Sequence, residues 1–405
     1  MLVTTSYQLP GWEQRALEKK QETWAKLDAW RLEDDVLERA KSVRNLTGDF
    51  IEGLLSIEDC QITRLCSQQV VNSIREGVFT TKQVASAYYK RAAISHQLNN
   101  CLYKVFFKEA ILRAQALDDY FKATGKPIGP LHKLPNPGQT IVPSAIGFMS
   151  TSLGALRLIT KSLLSTQPWL RDPEVVEIPW RPEQEIVAKV LCFGVLDMDG
   201  MVAPHPPIAR GLKIVIQALE KAGHRAFFMT SDGGHNIHAQ LSLSGEPFIP
   251  ELRDDYGDAP TPPAGLIEYE TQALKRIEYR STYMEYWNST AQLTGTGRPV
   301  DDVIMPVAPH AAVIPGKYFH YGYSEIVDLL DYTSVAFPVT KADMSIDLLD
   351  AQYTPISPVD EENWRAYNAD IYDGAPVGLQ VMGRPLQEER MLSVAETILS
   401  SLGVN

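Results

Sequence analysis

Chemistry needs a nucleophile, a base or a metal-binding set, and this sequence offers few of each. Ser150, Thr151 and Ser152 form a hydroxyl cluster, and Lys133 is the lysine to weigh as a base. A serine hydroxyl is a poor nucleophile until a base takes its proton and backbone N–H groups receive the developing oxyanion. The three hydroxyls precede an apolar-periodic stretch, Ser152 to Leu164, so their position reads as a helix N-cap and not as a nucleophile. Lys133 sits in a Pro/Gly-rich segment between Gly125 and Gly138 and reads as a loop lysine in solvent. His235 and His238 lie three apart beside Asp232, a spacing that puts ligands on one helical face. Two histidines and a carboxylate recur by chance, and no metal or cofactor is expected. Cys60, Cys66, Cys101 and Cys192 follow no metal-ligand pattern and read as reduced thiols.

The elements that must position such groups can be traced along the 405 residues. Gly11 to Ser42 carries Trp12, Leu17, Trp24, Leu27 and Trp30 at helical steps, a stripe that reads as a docking face. Ser56 followed by Asp59 signals an N-cap, Gly77 ends a further helix, and Thr80-Thr81 opens the next. Asn99 to Phe107 reads as β-rich and Ala110 to Thr124 as helical. Residues 1–125 therefore form a mostly helical outer layer, and residues 126–405 an α/β remainder. In that remainder Lys189–Val195, Arg225–Met229, Val303–Val307 and Gly374–Met382 read as strands. Pro207–Gly223, Leu266–Thr290 and Glu388–Leu402 read as helices, the first with Pro at its start and Gly at its end. Strands alternating with helices predict a mixed or parallel sheet flanked by helices.

Composition narrows the partners. A formal net charge of −12, with no basic run, argues against nucleic acid and anionic membranes. The longest apolar run, Val190 to Leu196, is far short of the roughly 20 residues of a membrane span. Met1 to Pro10 lacks the pattern of a secretory signal. The expected location is the cytoplasm and the expected partner a neutral small molecule or another protein.

Several blocks, taken in order, resemble the amidase signature family in its acetamidase or general amidase branch. They include Asn99-Asn100, Ala114 to Tyr120, Thr124 to His132, and Val142 to Leu156. Further blocks are Pro168-Trp169, Asp199-Gly200 with His205-Pro206-Pro207, and Ser231 to His235. The last are Pro306 to His310, Leu329 to Tyr332, Phe337 to Thr340, and Gly374 to Gly383. The resemblance implies one α/β/α-layered domain around a mixed twisted sheet. It also implies hydrolysis of a small carboxamide to a carboxylate and ammonia, without metal or organic cofactor. The family's groups are a Ser nucleophile, a second Ser held by a cis peptide bond, and a Lys. The Lys belongs to a Lys-Asp pair after the Leu-His and Gly-Leu-Pro segment, and the serines to a later loop of the GGSSGG type.

This chain departs from that pattern where it matters most. Leu131-His132-Lys133-Leu134-Pro135 runs directly into Asn136-Pro137-Gly138, and the junction omits on the order of a hundred residues, the size of a small domain. A shorter gap falls near 229–231. Gly-Gly occurs only at Gly233-Gly234. The resemblance thus implies that central strands are missing and that no residue here fills the catalytic roles. It places His310, Tyr323, Asp331 and Tyr332 near the wall of the acyl pocket. The expected associations are a small-molecule amide, a homo-oligomer, or pairing with an intact relative.

Overall fold

Several helix starts in this chain are fixed by side chains that satisfy the first orphan N–H groups. The computed structural model describes residues 12–102, 105–124, 147–150, 152–172, 175–221, 266–314 and 316–403. Ser56 accepts from Asp59 N while the Asp59 carboxylate accepts from Ser56 N, a complete capping box at the start of α4 (Ile57–Arg64). Thr80 and Gln83 form the same box ahead of α6 (Thr81–Asn99). There a second cap comes from another helix. Asp118 of α7 (Phe107–Thr124) accepts from Thr81 N at 2.7 Å and Lys82 N at 2.9 Å.

The chain divides into two compact units. One contains the described residues of 12–124 and 149–176, the other those of 147–148, 177–221 and 266–403. In the first, the helix read as continuous from Gly11 to Ser42 is broken. α1 (Trp12–Leu27) ends in a tight turn over Asp28–Trp30, and α2 (Asp34–Lys41) begins after an extended Arg31. Gln97 of α6 causes the break. Its Nε2 donates to Trp30 O and its Oε1 accepts from Leu32 N, each at 2.8 Å, so a distant side chain takes over groups that a helix would bond internally. Leu27 and the ring of Trp30 then turn inward against Ala93, Tyr89, Val105 and Phe107. Phe107 stacks on Tyr89 at 4.7 Å and meets Trp30 edge-on at 5.5 Å.

The β reading of Asn99–Phe107 does not hold for its described residues. Asn100 takes the left-handed conformation as the cap of α6, and Leu102 N donates to His96 Nδ1. Val105 and Phe107 are apolar for the helical core, not for a sheet. Short helices α3 (Asp49–Glu52) and α5 (Ser67–Arg75) complete this unit with α8 (Leu153–Leu164), which packs on α5.

The second unit is built on a four-stranded mixed sheet of order β1-β2-β4-β3. β1 (Phe193–Val195) runs parallel to β2 (Asp302–Pro306), while β4 (Pro376–Gly383) is antiparallel to both β2 and β3 (Thr333–Lys341). Sequence reading passed over β3 as a strand. Pro338 within it argues against a central strand, and β3 pairs only with β4 among the described strands, with a register shift between Pro338 and Thr340. Helices cover both faces. α9 (Pro206–Lys221) packs on β2, β3 and β4, and α14 (Glu388–Ser401) on β3 and β4. Opposite them, Tyr283 and Trp287 of α10 (Leu266–Ser289) cluster with Tyr323, Ile326 and Leu330 of α11 (Gly322–Leu330) on Val303, Met305 and Met382. Residues alternate across a strand, so Ile304 and Val381 serve the α9–α14 face. This is the layered α/β/α arrangement with a mixed sheet. The junctions at 135–136 and 229–231, and the reading of Arg225–Met229 as a strand, lie outside the described residues.

Candidate functional site

β1 delivers the chain into a tight turn whose carboxylate organises everything after it. Gly200 has φ +85°, a left-handed conformation that a side chain would strain. Asp199 Oδ1 accepts from Met201 N at 2.9 Å and Val202 N at 3.0 Å, and Oδ2 pairs with His320 Nε2. Burial opposes charge on Asp199, yet the His320 bond and the two backbone donors together hold its carboxyl below the usual range. A Cβ on Gly322 would come within 2.6 Å of His320 and 2.9 Å of Asp199, so the start of α11 needs glycine to approach this pair.

Two further elements clamp the same loop. Tyr323 Oη donates to Val202 O at 2.5 Å, and Gln380 of β4 donates from Nε2 to both Tyr323 O and Pro306 O. α12 (Pro358–Ala366) supplies Asp360, which accepts from Ala203 N, Ile356 N and Tyr353 Oη at 2.6 to 2.9 Å. Ser357 Oγ donates to Met201 O, and Asn363 Nδ2 to Ala203 O. His205 closes the turn. Its N–H donates to Pro309 O, next to His310, and its Nε2 donates to Asn363 O at 2.8 Å. Burial pushes both His205 and His310 down to about 4, so both rings are neutral near pH 7.

Four residues were placed at a pocket wall from the sequence. His310 is buried, its ring 6.3 Å from His205 and 5.0 Å from Tyr318, and Tyr323 is buried against the Asp199–Val202 turn. Asp331 and Tyr332 sit elsewhere. Tyr323 and Asp331 are eight residues apart along one helix, about 12 Å at 1.5 Å per residue. Asp331 is the exposed left-handed cap of α11, 3.6 Å from Arg280, and Tyr332 packs edge-on against Trp287 and Tyr283. The fold therefore joins His310 and Tyr323 to one loop and leaves the other two at the far end of α11. Ser152 is a helix cap, its Oγ accepting from Ala155 N at 3.4 Å. Lys133, Asp232, His235 and His238 lie outside the described residues.

Asp199, His205, His320, Asp360, Asn363 and Tyr372 of the short α13 (Ala369–Tyr372) were not singled out from sequence. Asp199-Gly200 and His205-Pro206-Pro207 did carry a signal, as one of the family blocks. His320 carried none, since its only distinction is the distant carboxylate it meets. Chemically the loop offers one carboxylate–imidazole pair and two neutral imidazoles, and among the described residues no serine or lysine is bonded to any of these three rings.

The family model described as Amidase matches residues 253–392, the stretch that holds β2, α11, β3, α12 and β4. An acetamidase of Aspergillus oryzae is 28% identical over 547 aligned positions, covering 97% of this chain and 99% of the relative. Over nearly its whole length the chain is thus similar to acetamidases, and residues 253–392 match the Amidase family model. An acetamidase of Emericella nidulans is 26% identical over 552 positions, with 97% and 98% covered. A solved fatty acid amide hydrolase shares the amidase signature fold, with a TM-score of 0.80 and 18% identity, covering 97% of this chain and 95% of the other. The first alignment has 547 positions and this chain 405 residues, so at least 142 positions are filled by the relative alone.

Proposed function

We propose that this chain is an amide hydrolase by descent whose own turnover of carboxamides is lost or severely impaired. The family reaction converts a small carboxamide to a carboxylate and ammonia. It needs an activated hydroxyl, a base and an oxyanion site that act as one unit, so losing all of them removes most of the rate enhancement. The observation that carries the reading is the junction at Pro135-Asn136, where the sequence passes from one family block to the next without the Lys-Asp pair or the double-serine loop. The at least 142 positions that the Aspergillus oryzae acetamidase fills alone support it. Of the clustered serines, Ser152 has its oxygen engaged as a cap and Ser150 Oγ accepts from Ser152 N.

The test is ammonia release from acetamide, benzamide and longer amides by the full chain. The expected result is none above the uncatalysed rate. Turnover that a Ser152→Ala change abolishes would overturn the reading and identify a replacement nucleophile. Four free cysteines and the absence of a membrane-length apolar helix among the described residues fit a cytoplasmic protein.

A second reading, a noncatalytic partner that pairs with an intact relative, draws on one observation. Leu274, Ile277 and Met284 of α10 are 65%, 62% and 44% exposed and share one helical face. Co-purification with a full-length family member, lost on Leu274→Glu with Ile277→Glu, would favour it. A monodisperse chain that ignores that relative would count against it.

A further inference from the structure

His320 keeps one ring nitrogen open. Its Nε2 is bound to Asp199 Oδ2, whereas its Nδ1 bonds no protein group among the described residues and is not one of the buried polar atoms left without a partner. With 11% of the side chain exposed, that nitrogen meets solvent. The other described histidines differ: His96, His205 and His310 are 4%, 1% and 5% exposed, so their rings are closed to a solute. The pair also stands where α/β sheets usually place chemistry. β1 and β2 are parallel, and Asp199 and His320 lie on the segments that follow their carboxyl ends.

Hydrogen bonding fixes which nitrogen is which. The Asp199 side chain is 2% exposed and its Oδ1 accepts from Met201 N and Val202 N, so the carboxylate is locked in place with Oδ2 presented to the ring. Those donors and His320 keep it ionised, and a carboxylate only accepts. The proton of the neutral ring is therefore on Nε2 and its lone pair on Nδ1. Gly322 lets the two partners close on each other, and the Tyr323 ring stands at 87° to the imidazole, 5.8 Å away. A carboxylate that takes up positive charge at one nitrogen makes the other a better nucleophile.

We propose that His320 is a nucleophile toward activated esters, and that the chain hydrolyses aryl esters slowly through an acyl-histidine. The Nδ1 lone pair attacks the acyl carbon, a C–N bond forms, and the aryl C–O bond breaks with its electron pair leaving on the phenolate. The Nε2 proton passes to Asp199 as the ring acylates, so no cationic ring builds up beside buried groups. Water then adds to the acyl carbon. Nε2 takes its proton back from Asp199 as the C–N bond breaks, and the proton lost by water neutralises the phenolate. The sum is ester plus water to phenol and carboxylic acid, with no other reactant. Amides do not follow this route, because their tetrahedral adduct expels the imidazole sooner than an amine anion. The activity is therefore separate from the family reaction. It needs an open nitrogen and not an enclosed pocket, and acylation is second-order in chain and ester.

The experiment mixes the full chain with p-nitrophenyl acetate at mildly alkaline pH and follows p-nitrophenolate by absorbance. Acetyl groups are then mapped by mass spectrometry of peptides after an acid quench, with and without hydroxylamine, which strips acetyl from imidazole and leaves it on lysine. Expected are a stoichiometric burst of p-nitrophenolate and a hydroxylamine-labile acetyl group on His320. His320→Gln keeps a donor for Asp199 and lacks the lone pair, so burst and labile acetyl should vanish while circular dichroism stays unchanged. Asp199→Asn tests the positioning residue. It should slow acylation about a hundredfold and give His320 nitrogen-15 shifts of mixed tautomers, in place of a lone pair confined to Nδ1. Should either variant unfold, the peptide map of the unsubstituted chain decides. No hydroxylamine-labile acetyl on His320, or a burst that survives in folded His320→Gln, would overturn the proposal.

Discussion

His205 and His310 show how burial sets a single residue's chemistry. Both have folded-state values near 4 against about 6.5 for an unperturbed imidazole, because the charged form loses its water. The unfolded chain binds more protons than the folded one between these values, so stability rises with pH across that window. It is complete above about pH 6.5 and is lost as pH falls toward 4. Urea unfolding at pH 7.5 and pH 5 should show this acid loss, and His310→Gln should reduce it. An unchanged acid slope in that variant would assign the loss to other groups. At the same scale, Ser152→Ala removes the cap of α8 and should cost about 1 kcal/mol without changing amide turnover. Thermal unfolding of the variant checks the first half, and the ammonia assay the second.

At the scale of elements, a few long-range polar contacts decide how helices and strands meet. Arg390 of α14 pairs through both guanidinium nitrogens with Asp302, which is fully buried at the start of β2. Burial raises the Asp302 carboxyl to about 6 even with this partner beside it. Arg390→Met would strand that carboxylate and should destabilise the second unit by roughly 3–5 kcal/mol. Denaturant unfolding followed by Trp287 fluorescence would measure it, and a loss below 1 kcal/mol would mean that the pair is dispensable. Gln97 plays a comparable part for α1 and α2. Its two bonds hold an extended break where local propensity favours continuous helix.

Across the whole molecule, two units with separate cores imply separate cooperative openings. The first unit is closed around Leu27, Ala93 and Phe107, the second around Trp287, Met305 and Tyr323. Native-state hydrogen exchange should therefore sort protected amides into two groups with different opening free energies, one for each unit. A single common value for α6 and β4 amides would show that the chain unfolds as one body. The same chain tests the functional reading, since a retained fold without turnover is the expected combination.

Sequence alone settled what local chemistry dictates. Ser56 and Thr80 begin helices because a hydroxyl three residues before a Gln or Asp satisfies orphan N–H groups. The long amphipathic helix ending near Ser289, the buried strand around Ile304 and the closing helix from Glu388 followed from periodicity. The family blocks were likewise legible, because their order is a property of the chain itself. Only the tertiary structure decided the break at Arg31, the edge strand that tolerates Pro338, and the meeting of His320 with Asp199 across 121 positions. It also parted Asp331 and Tyr332 from His310 and Tyr323. Each of these depends on a partner distant in sequence, and nothing in the spacing of residues along a chain fixes which distant groups come within bonding distance.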